Sequence, residues 1–328
     1  MRRSNYFLLA LLLALVAMPL AGAQAASQQY LFEKNKAQFK DIDKVESRSY
    51  KFLAKLPEGK DAKGVTNDLL AQVKKAAADN GFAFKERKKG EEWRFSEKWY
   101  YDTPNRDLYK KGYVIRENYR FPEGEGPNPD DFVLTVKEMS PSDFNRLVNS
   151  KLGPVPGSES LVKFEENISL NDEGILQSYF ESAIGSKVKK EDLGQRTLGD
   201  YAKLYPDLGN LGIPVDTKLI PVKGYSVQLK YGAFELADGS QASGDIEIWT
   251  ETPGGKPFVA EIAFDGEGYD ASVEHMKAEE DFFNKMFAQS LKDLTMPGSG
   301  PYMGSKVRAL FDEKHDTPKP KTKNDLDS

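Results

Sequence analysis

The chain contains no cysteine and only two histidines among its 328 residues. Without cysteine it cannot form disulfide bonds, so a packed core must hold the fold together. Since His275 and His315 are the only imidazoles, a histidine-based zinc site is disfavoured, as is catalysis by a Ser-His-Asp or Cys-His arrangement.

An excess of positive charge is also missing, because the formal net charge is −5 at pH 7. Nonspecific binding to nucleic acid depends on neutralising many phosphates, and a net-acidic chain is poorly suited to it. We therefore expect no nucleic-acid partner. Any anion site must be a local cluster of cations within an overall negative field.

Long apolar runs are absent except at the N-terminus, where one extends roughly from Tyr6 to Leu20. Arg2 and Arg3 precede this run, and small residues with A-x-A spacing follow it as far as Ala25. This is the pattern of a cleavable secretory signal. We expect residues 1–25 to be removed, the mature chain to be periplasmic or secreted, and no membrane span to remain.

No regular alternation of strand and helix and no repeat of 20 to 50 residues is present, which argues against a Rossmann-type sheet and a solenoid. Instead, the stretch from Lys98 to Lys137 indicates three extended segments joined by two turns. Its central segment, YVIRENYRF, alternates with period two and places Arg116 and Arg120 on one face. The next segment, FVLTVKE, ends at Lys137, so the two strands present cations to a shared surface.

The remaining pattern predicts a group of strands interrupted by a few helices. Helices are expected at 66–80, 171–185 and 269–294, and further strands at 45–56, 93–103, 160–170 and, in three segments, from 222 to 265. We divide the chain into a signal (1–25), a lead-in (26–44), a main domain (45–294) and a C-terminal extension with a disordered tail (295–328).

Charged residues recur at matching positions of several predicted strands. The cations are Lys51, Arg116, Arg120, Lys137, Lys163 and Lys230, and the interleaved carboxylates are Glu165, Glu247 and Glu261. A sheet with one solvated face would produce this alternation. A barrel with a polar interior and helices on its outside would produce it too. Alternation alone leaves both interpretations open.

Four pieces of the sequence together resemble one family: YYDTPNRDLYKKGYVIRENYR, FVLTVKEM, LVKFEENI and FVAEIAFD. They are similar to the D-T-P, G-Y-x-x-R, L-T-x-K and glutamate-bearing segments of the CYTH, or triphosphate tunnel metalloenzyme, superfamily. The resemblance extends over roughly residues 45–291. It implies an α+β fold, in which an eight-stranded antiparallel β-barrel forms a tunnel with a polar interior and is flanked by a few α-helices.

The resemblance also implies a ligand, which is triphosphate or another polyphosphate or organic phosphate. The cations expected at the reacting phosphates are Lys51, Arg116, Lys137 and Lys163, and those expected to bind the rest of the substrate are Arg120, Lys223 and Lys230. Mg²⁺ or Mn²⁺ would be held by Glu165, Glu247 and Glu261. These residue types suit phosphoryl chemistry, which needs positioned positive charge, and hard divalent ions, which prefer carboxylate oxygens.

The sequence departs from the family where metal would bind. Ser47 and Ser49 stand at the two glutamate positions of the family's opening E-x-E-x-K motif, if its lysine is Lys51. Three hypotheses follow: a metal-dependent phosphohydrolase, a non-catalytic polyanion-binding module on the same fold, and a barrel whose charges pair internally without a ligand. The sequence does not indicate an oligomeric state.

Overall fold

A computed structural model of the chain describes residues 29–88, 90–140, 143–171, 173–296 and 306–315, with the side chains of 312–315 left out. The predicted signal at 1–25 and the predicted disordered tail from Thr317 lie outside these residues. The strands are Ser47–Ala54 (β1), Phe84–Glu86 (β2), Glu92–Asp102 (β3), Tyr113–Phe121 (β4), Val133–Ser140 (β5), Ser160–Leu170 (β6), Leu176–Ser186 (β7), Ile220–Glu235 (β8), Gln241–Thr250 (β9) and Pro257–Glu267 (β10). The α-helices are Leu31–Gln38 (α1), Ala62–Asp79 (α2), Asp107–Lys110 (α3), Phe144–Val148 (α4), Leu198–Leu204 (α5), Val273–Phe283 (α6) and Lys306–His315 (α7).

Nine of the strands close into a barrel. Their order is β8-β3-β4-β5-β7-β6-β1-β10-β9, and pairing of β9 with β8 completes the ring, while the short β2 pairs with the far end of β8. Neighbours are antiparallel except β1 and β6, which run parallel. The predicted α+β barrel is confirmed, but it has nine strands of mixed orientation where eight antiparallel strands were expected.

The barrel directs many of its charges inward and much of its apolar surface outward. On β1, Tyr50 and Phe52 point outward, with ring centroids 5.2 Å from Phe283 and 4.5 Å from Phe287 in the helical segment after β10. These rings belong to one buried apolar cluster with residues of α2 and β8 to β10. Because side chains alternate along a strand, the opposite face of β1, which bears Lys51, is directed to the barrel interior.

One sequence prediction was wrong: residues 171–185, expected to be a helix, form most of β7. The strand is buried on both faces, between the barrel interior and the cluster around Ile184 outside. In a strand of this kind, apolar and polar residues do not alternate along the sequence, because both faces are buried. The spacing of its apolar residues can therefore resemble that of a helix. The helix predicted at 66–80 is present but begins earlier, at Ala62, because Asp61 accepts the Gly64 N–H at 2.7 Å and caps it.

Helix α7 lies in the C-terminal extension and packs into one mouth of the barrel. Leu310 is fully buried and Phe311 nearly so, in a cluster with Tyr100, Val222 and Trp249 from the barrel interior. A side chain at Gly224 of β8 would lie 3.2 Å from Leu310, so glycine at this position leaves room for the helix. Helix α7 therefore closes the barrel at this end.

A buried ionic cluster joins α1 and α6 to the outside of the barrel. Arg48 of β1 is fully buried, is hydrogen-bonded to Glu279 and lies 3.8 Å from Glu280. Glu280 accepts hydrogen bonds of 2.8 Å from the Leu31 and Phe32 N–H groups at the start of α1. Burial raises the pKa of the Glu280 carboxyl to about 7, although these donors and Arg48 oppose the rise.

Stability should therefore increase as the pH falls from 7.5 to 5. The pKa of Glu280 is higher in the folded protein than in the unfolded chain, so its contribution is full below the unfolded value and is lost as the pH rises through about 7. Asp102 and Asp245, whose pKa values burial raises to about 6, act in the same direction. We expect a higher melting temperature at pH 5 than at pH 7.5, measured by circular dichroism.

Glu280→Gln should flatten this profile by on the order of 3 kcal/mol, because the shifted proton-binding site is removed. The exposed Glu274, on the same helix, provides the control, and Glu274→Gln should keep the wild-type profile. A Glu280→Gln profile as steep as that of the wild type would contradict the explanation.

Candidate ligand-binding tunnel

A cavity of about 150 Å³ lies inside the barrel, between the middle of the tunnel and helix α7. Side chains from most of the barrel strands and from α7 reach it, because alternate residues of each strand point inward. Its cations are Lys51, Lys98, Arg116, Lys137 and Lys306, and its carboxylates are Glu181, Glu247 and Glu261. Five positive charges thus face three negative ones, and the overall acidic chain encloses a locally cationic site.

Two of these cations, Arg116 and Lys51, make no ion pair within 4.0 Å among the described residues. Arg116 donates from Nη2 to Thr135 Oγ1 at 3.2 Å, and its buried Nε has no hydrogen-bond partner. Lys51 of β1 makes no ion pair within 4.0 Å in the described part of the chain, although its charge acts on Glu181 from a greater distance. These two groups are the ones that an anionic ligand would complete.

Lys137 is paired inside the tunnel. Its ammonium lies 2.6 Å from Glu181, which is almost fully buried on β7. Burial by itself would raise the pKa of Glu181, but the charges of Lys137 and Lys51 outweigh it and hold the pKa at about 2. Glu181 is therefore ionised, and it takes up part of the positive charge on this side.

A chain of alternating charges runs from β3 to α7 on the other side. Glu247 of β9 is hydrogen-bonded to both Lys98 and Lys306, and Lys306 is also bonded to Glu261 at 2.6 Å. Burial lowers the pKa of Lys98 to about 8, assisted by Lys306 and Arg116 and opposed by Glu247. Burial by itself would lower the pKa of Lys306 as well. Glu247 and Glu261 together outweigh burial and raise this pKa above its usual value, whereas Lys98 is bonded to Glu247 alone.

Five of the residues predicted from sequence meet in this cavity: Lys51, Arg116, Lys137, Glu247 and Glu261. Four others occupy inward-facing strand positions but do not line the cavity: Lys163, Glu165, Arg120 and Lys230. Lys163 is half-exposed and 3.5 Å from Glu165, which also accepts a 3.1 Å hydrogen bond from Ser47. Lys230 borders a separate depression with Asp245 and Asp265.

Lys223 is placed on the opposite face of β8 from Lys230. Its ammonium lies 3.8 Å from the centroid of the Trp99 ring and 3.3 Å from Glu97, both on the outside of the barrel. The two lysines are an odd number of residues apart, and in a strand this directs their side chains to opposite faces. The structure therefore does not bring Lys223 to the cavity.

The residues expected to hold Mg²⁺ or Mn²⁺ do not fit a divalent ion as they are arranged. Within the described ranges, no group of three or more His, Cys, Asp or Glu side chains is placed to share one. Glu247 and Glu261 are both bonded to the ammonium of Lys306, and Glu165 lies outside the cavity lining. Mg²⁺ is usually held by one or two carboxylates, with waters and substrate phosphates as its other ligands. Here both oxygens of Glu247 and one of Glu261 are already bonded to ammonium groups, so the pair is not free to bind the ion.

Three cavity residues were missed from the sequence: Lys98, Glu181 and Lys306. Lys98 alternates with Arg94 and Tyr100 along β3, and that spacing could have identified it. Glu181 was concealed by the wrong helix at 171–185, since its inward position follows only from a strand. Lys306 belongs to a short helix beyond the barrel strands, and no sequence pattern connects it to the interior.

Comparisons with known proteins found distant structural likeness alone. No family model and no curated protein matches the chain. A Hippeastrum protein described as an adenylyl cyclase candidate with a dominant triphosphatase activity is similar over 82% of this chain and 97% of its own, with 12% identity and a TM-score of 0.39. A Bacillus halodurans adenylate cyclase candidate is similar over 82% and 98%, with 12% identity and a TM-score of 0.38.

A Pyrococcus horikoshii protein is similar over 81% of this chain and 99% of its own, with 13% identity and a TM-score of 0.34. At such low identities and TM-scores, the assignment of function has to rest on the residues of the tunnel themselves.

Proposed function

We propose that the tunnel binds a small phosphate-rich anion, such as a triphosphate or another polyphosphate, between Lys51, Arg116 and Lys137. The observation that carries this proposal is the pair of cations, Arg116 and Lys51, that line the cavity without an ion pair within 4.0 Å among the described residues. Arginine offers a planar fork of donors to phosphate oxygens, and lysine offers a compact charge.

The energetics of burial favour the same conclusion. A cation taken out of water costs several kcal/mol unless an opposite charge and hydrogen bonds compensate it. Internal pairing compensates Lys137 through Glu181, and Lys98 through Glu247. It does not compensate Arg116, which is partly buried and keeps a buried Nε without a hydrogen-bond partner among the described residues. The hypothesis of a barrel whose charges all pair internally does not account for this group.

Tripolyphosphate should bind to the mature protein in the presence of a chelator. At 100 times its dissociation constant it should stabilise the fold by about 2.7 kcal/mol, seen as a rise in melting temperature. Arg116→Ala should weaken binding at least about tenfold, since a hydrogen bond to a charged group contributes about 1.5–3 kcal/mol. Titration calorimetry measures the dissociation constants of the wild type and of the variant.

The matched control is Lys277→Ala, which removes a lysine from the outer helix α6, where it lies 3.8 Å from Glu33. Its affinity for tripolyphosphate should equal that of the wild type. An equal loss in both variants would indicate a general electrostatic effect, and no binding by the wild type would refute the proposed function.

Metal-dependent phosphohydrolysis is the second candidate function. Glu247 and Glu261 favour it, because they stand directly opposite each other on neighbouring strands and both line the cavity. It would require Lys306 to leave them. Phosphate release from tripolyphosphate and from ATP with Mg²⁺ or Mn²⁺, abolished by chelator and by Glu261→Gln, would establish this activity; no release with the metals supports binding alone.

Export of the protein forms part of the proposal and rests on the sequence of residues 1–25. Among the described residues, no helix combines the length and the apolar character needed to cross a bilayer. We expect the protein recovered from its native compartment to begin near Ala26. Intact-mass measurement of the cell-associated and exported fractions would show this, and a full-length product retaining Met1 would contradict it.

A further inference from the structure

We propose that the ammonium of Lys306 is the built-in cation of the carboxylate pair Glu247 and Glu261, and that the tunnel consequently takes its phosphate ligand without a divalent metal. The inference rests on the proposed function of the tunnel. It also reverses the expectation, drawn from the family resemblance, that Glu247 and Glu261 hold Mg²⁺ or Mn²⁺.

The first support is the position of the ammonium. Lys306 Nζ contacts an oxygen of Glu247 and, at 2.6 Å, an oxygen of Glu261, so it lies between two carboxylates on adjacent strands. Lys98 bonds the other oxygen of Glu247. The oxygens of Glu247 are thus both engaged by ammonium groups, and a divalent ion would have to displace them.

The second support is the way in which the lysine is held. Lys306 begins α7, whose Leu310 and Phe311 are packed inside the barrel mouth against Trp249. Gly224 leaves the space that Leu310 occupies. The ammonium also lies 5.7 Å from the Trp249 ring centroid, within the range of a cation–π contact. Packing of the helix therefore fixes this lysine in the cavity.

The third support is its remaining hydrogen-bonding capacity. An ammonium has three N–H donors, and the two carboxylates account for two of them. The third makes no hydrogen bond to a residue that the structure describes, so it can bond a ligand oxygen in the cavity that Lys306 lines. Lys306 can therefore join the carboxylates to a bound phosphate, as a divalent ion does in metal-dependent sites, with less charge and without demanding octahedral geometry.

The first experiment measures tripolyphosphate binding by the wild-type mature chain with excess Mg²⁺ and with chelator. We expect affinities equal within about twofold. An affinity that falls tenfold or more with chelator would overturn the inference and leave the proposed function standing. Absence of binding under both conditions would refute the proposed function. The metal titrations described next would still test whether Lys306 keeps a divalent ion from Glu247 and Glu261.

The second experiment titrates Mn²⁺ alone and follows it by electron paramagnetic resonance. The wild type should show no Mn²⁺ site in the tunnel, whereas Lys306→Met, which keeps the side-chain bulk, should acquire one that Lys306→Met/Glu261→Gln loses. Lys187→Met, in an exposed ion pair with Glu159, should behave as the wild type. A wild-type Mn²⁺ site that Glu261→Gln removes would overturn the inference.

The third experiment compares Lys306→Met with Lys306→Arg, which keeps the positive charge. Circular dichroism is used to check that each variant is folded. Lys306→Met should bind tripolyphosphate at least tenfold more weakly in chelator and regain affinity with Mn²⁺, whereas Lys306→Arg should remain independent of metal. Equal binding by Lys306→Met and the wild type in chelator would overturn the inference.

Discussion

Charge compensation inside a closed barrel is the constraint on which the rest of this structure depends. Each inward-facing cation must be met by a carboxylate, by a helix dipole or by a ligand, because an isolated buried charge is too costly to keep. Lys137 is met by Glu181 on the neighbouring strand, and Lys98 of β3 is met by Glu247 of β9, with β8 between them. Arg116, which is partly buried, has no ion pair within 4.0 Å among the described residues, and we propose that a ligand supplies its opposite charge. The proposed function of the tunnel thus follows from the same requirement that allows it to fold.

This constraint also explains why most of the hydrophobic core lies outside the barrel. With charges directed inward, the apolar residues of the strands face outward and must be covered by other elements. Helices α2 and α6 cover β1 and β8 to β10, and α5 with its neighbouring loops covers β4, β5 and β7. The covering helices hold the strands in register, and the register determines which charges meet across the interior.

Much of this arrangement could be predicted from the sequence, since it depends on local alternation. Period-two patterns placed Lys51, Arg116, Lys137, Glu247 and Glu261 on the polar faces that line the cavity. β7 is buried on both faces, so its sequence lacks this alternation. The segment was predicted to be a helix, and Glu181 was therefore not identified. Lys223 was predicted wrongly although alternation excludes it: it is seven residues from Lys230, and the register of β8 with β3 is unbroken between the two. The contact of Lys306 with Glu261 depends on tertiary packing of a distant helix, and no local pattern encodes that.

The pairing of the first strand has a consequence for how the chain folds. β1 lies between β6, whose partner residues begin at Glu165, and β10, where Ser47 pairs with Glu267, roughly 220 positions later. Contacts between such distant segments give a high contact order, and proteins dominated by them fold slowly because the chain must first close large loops. A nascent chain that ends before β10 leaves one edge of β1 without its antiparallel neighbour. Until the last strand is made, this edge is open to pairing with other chains.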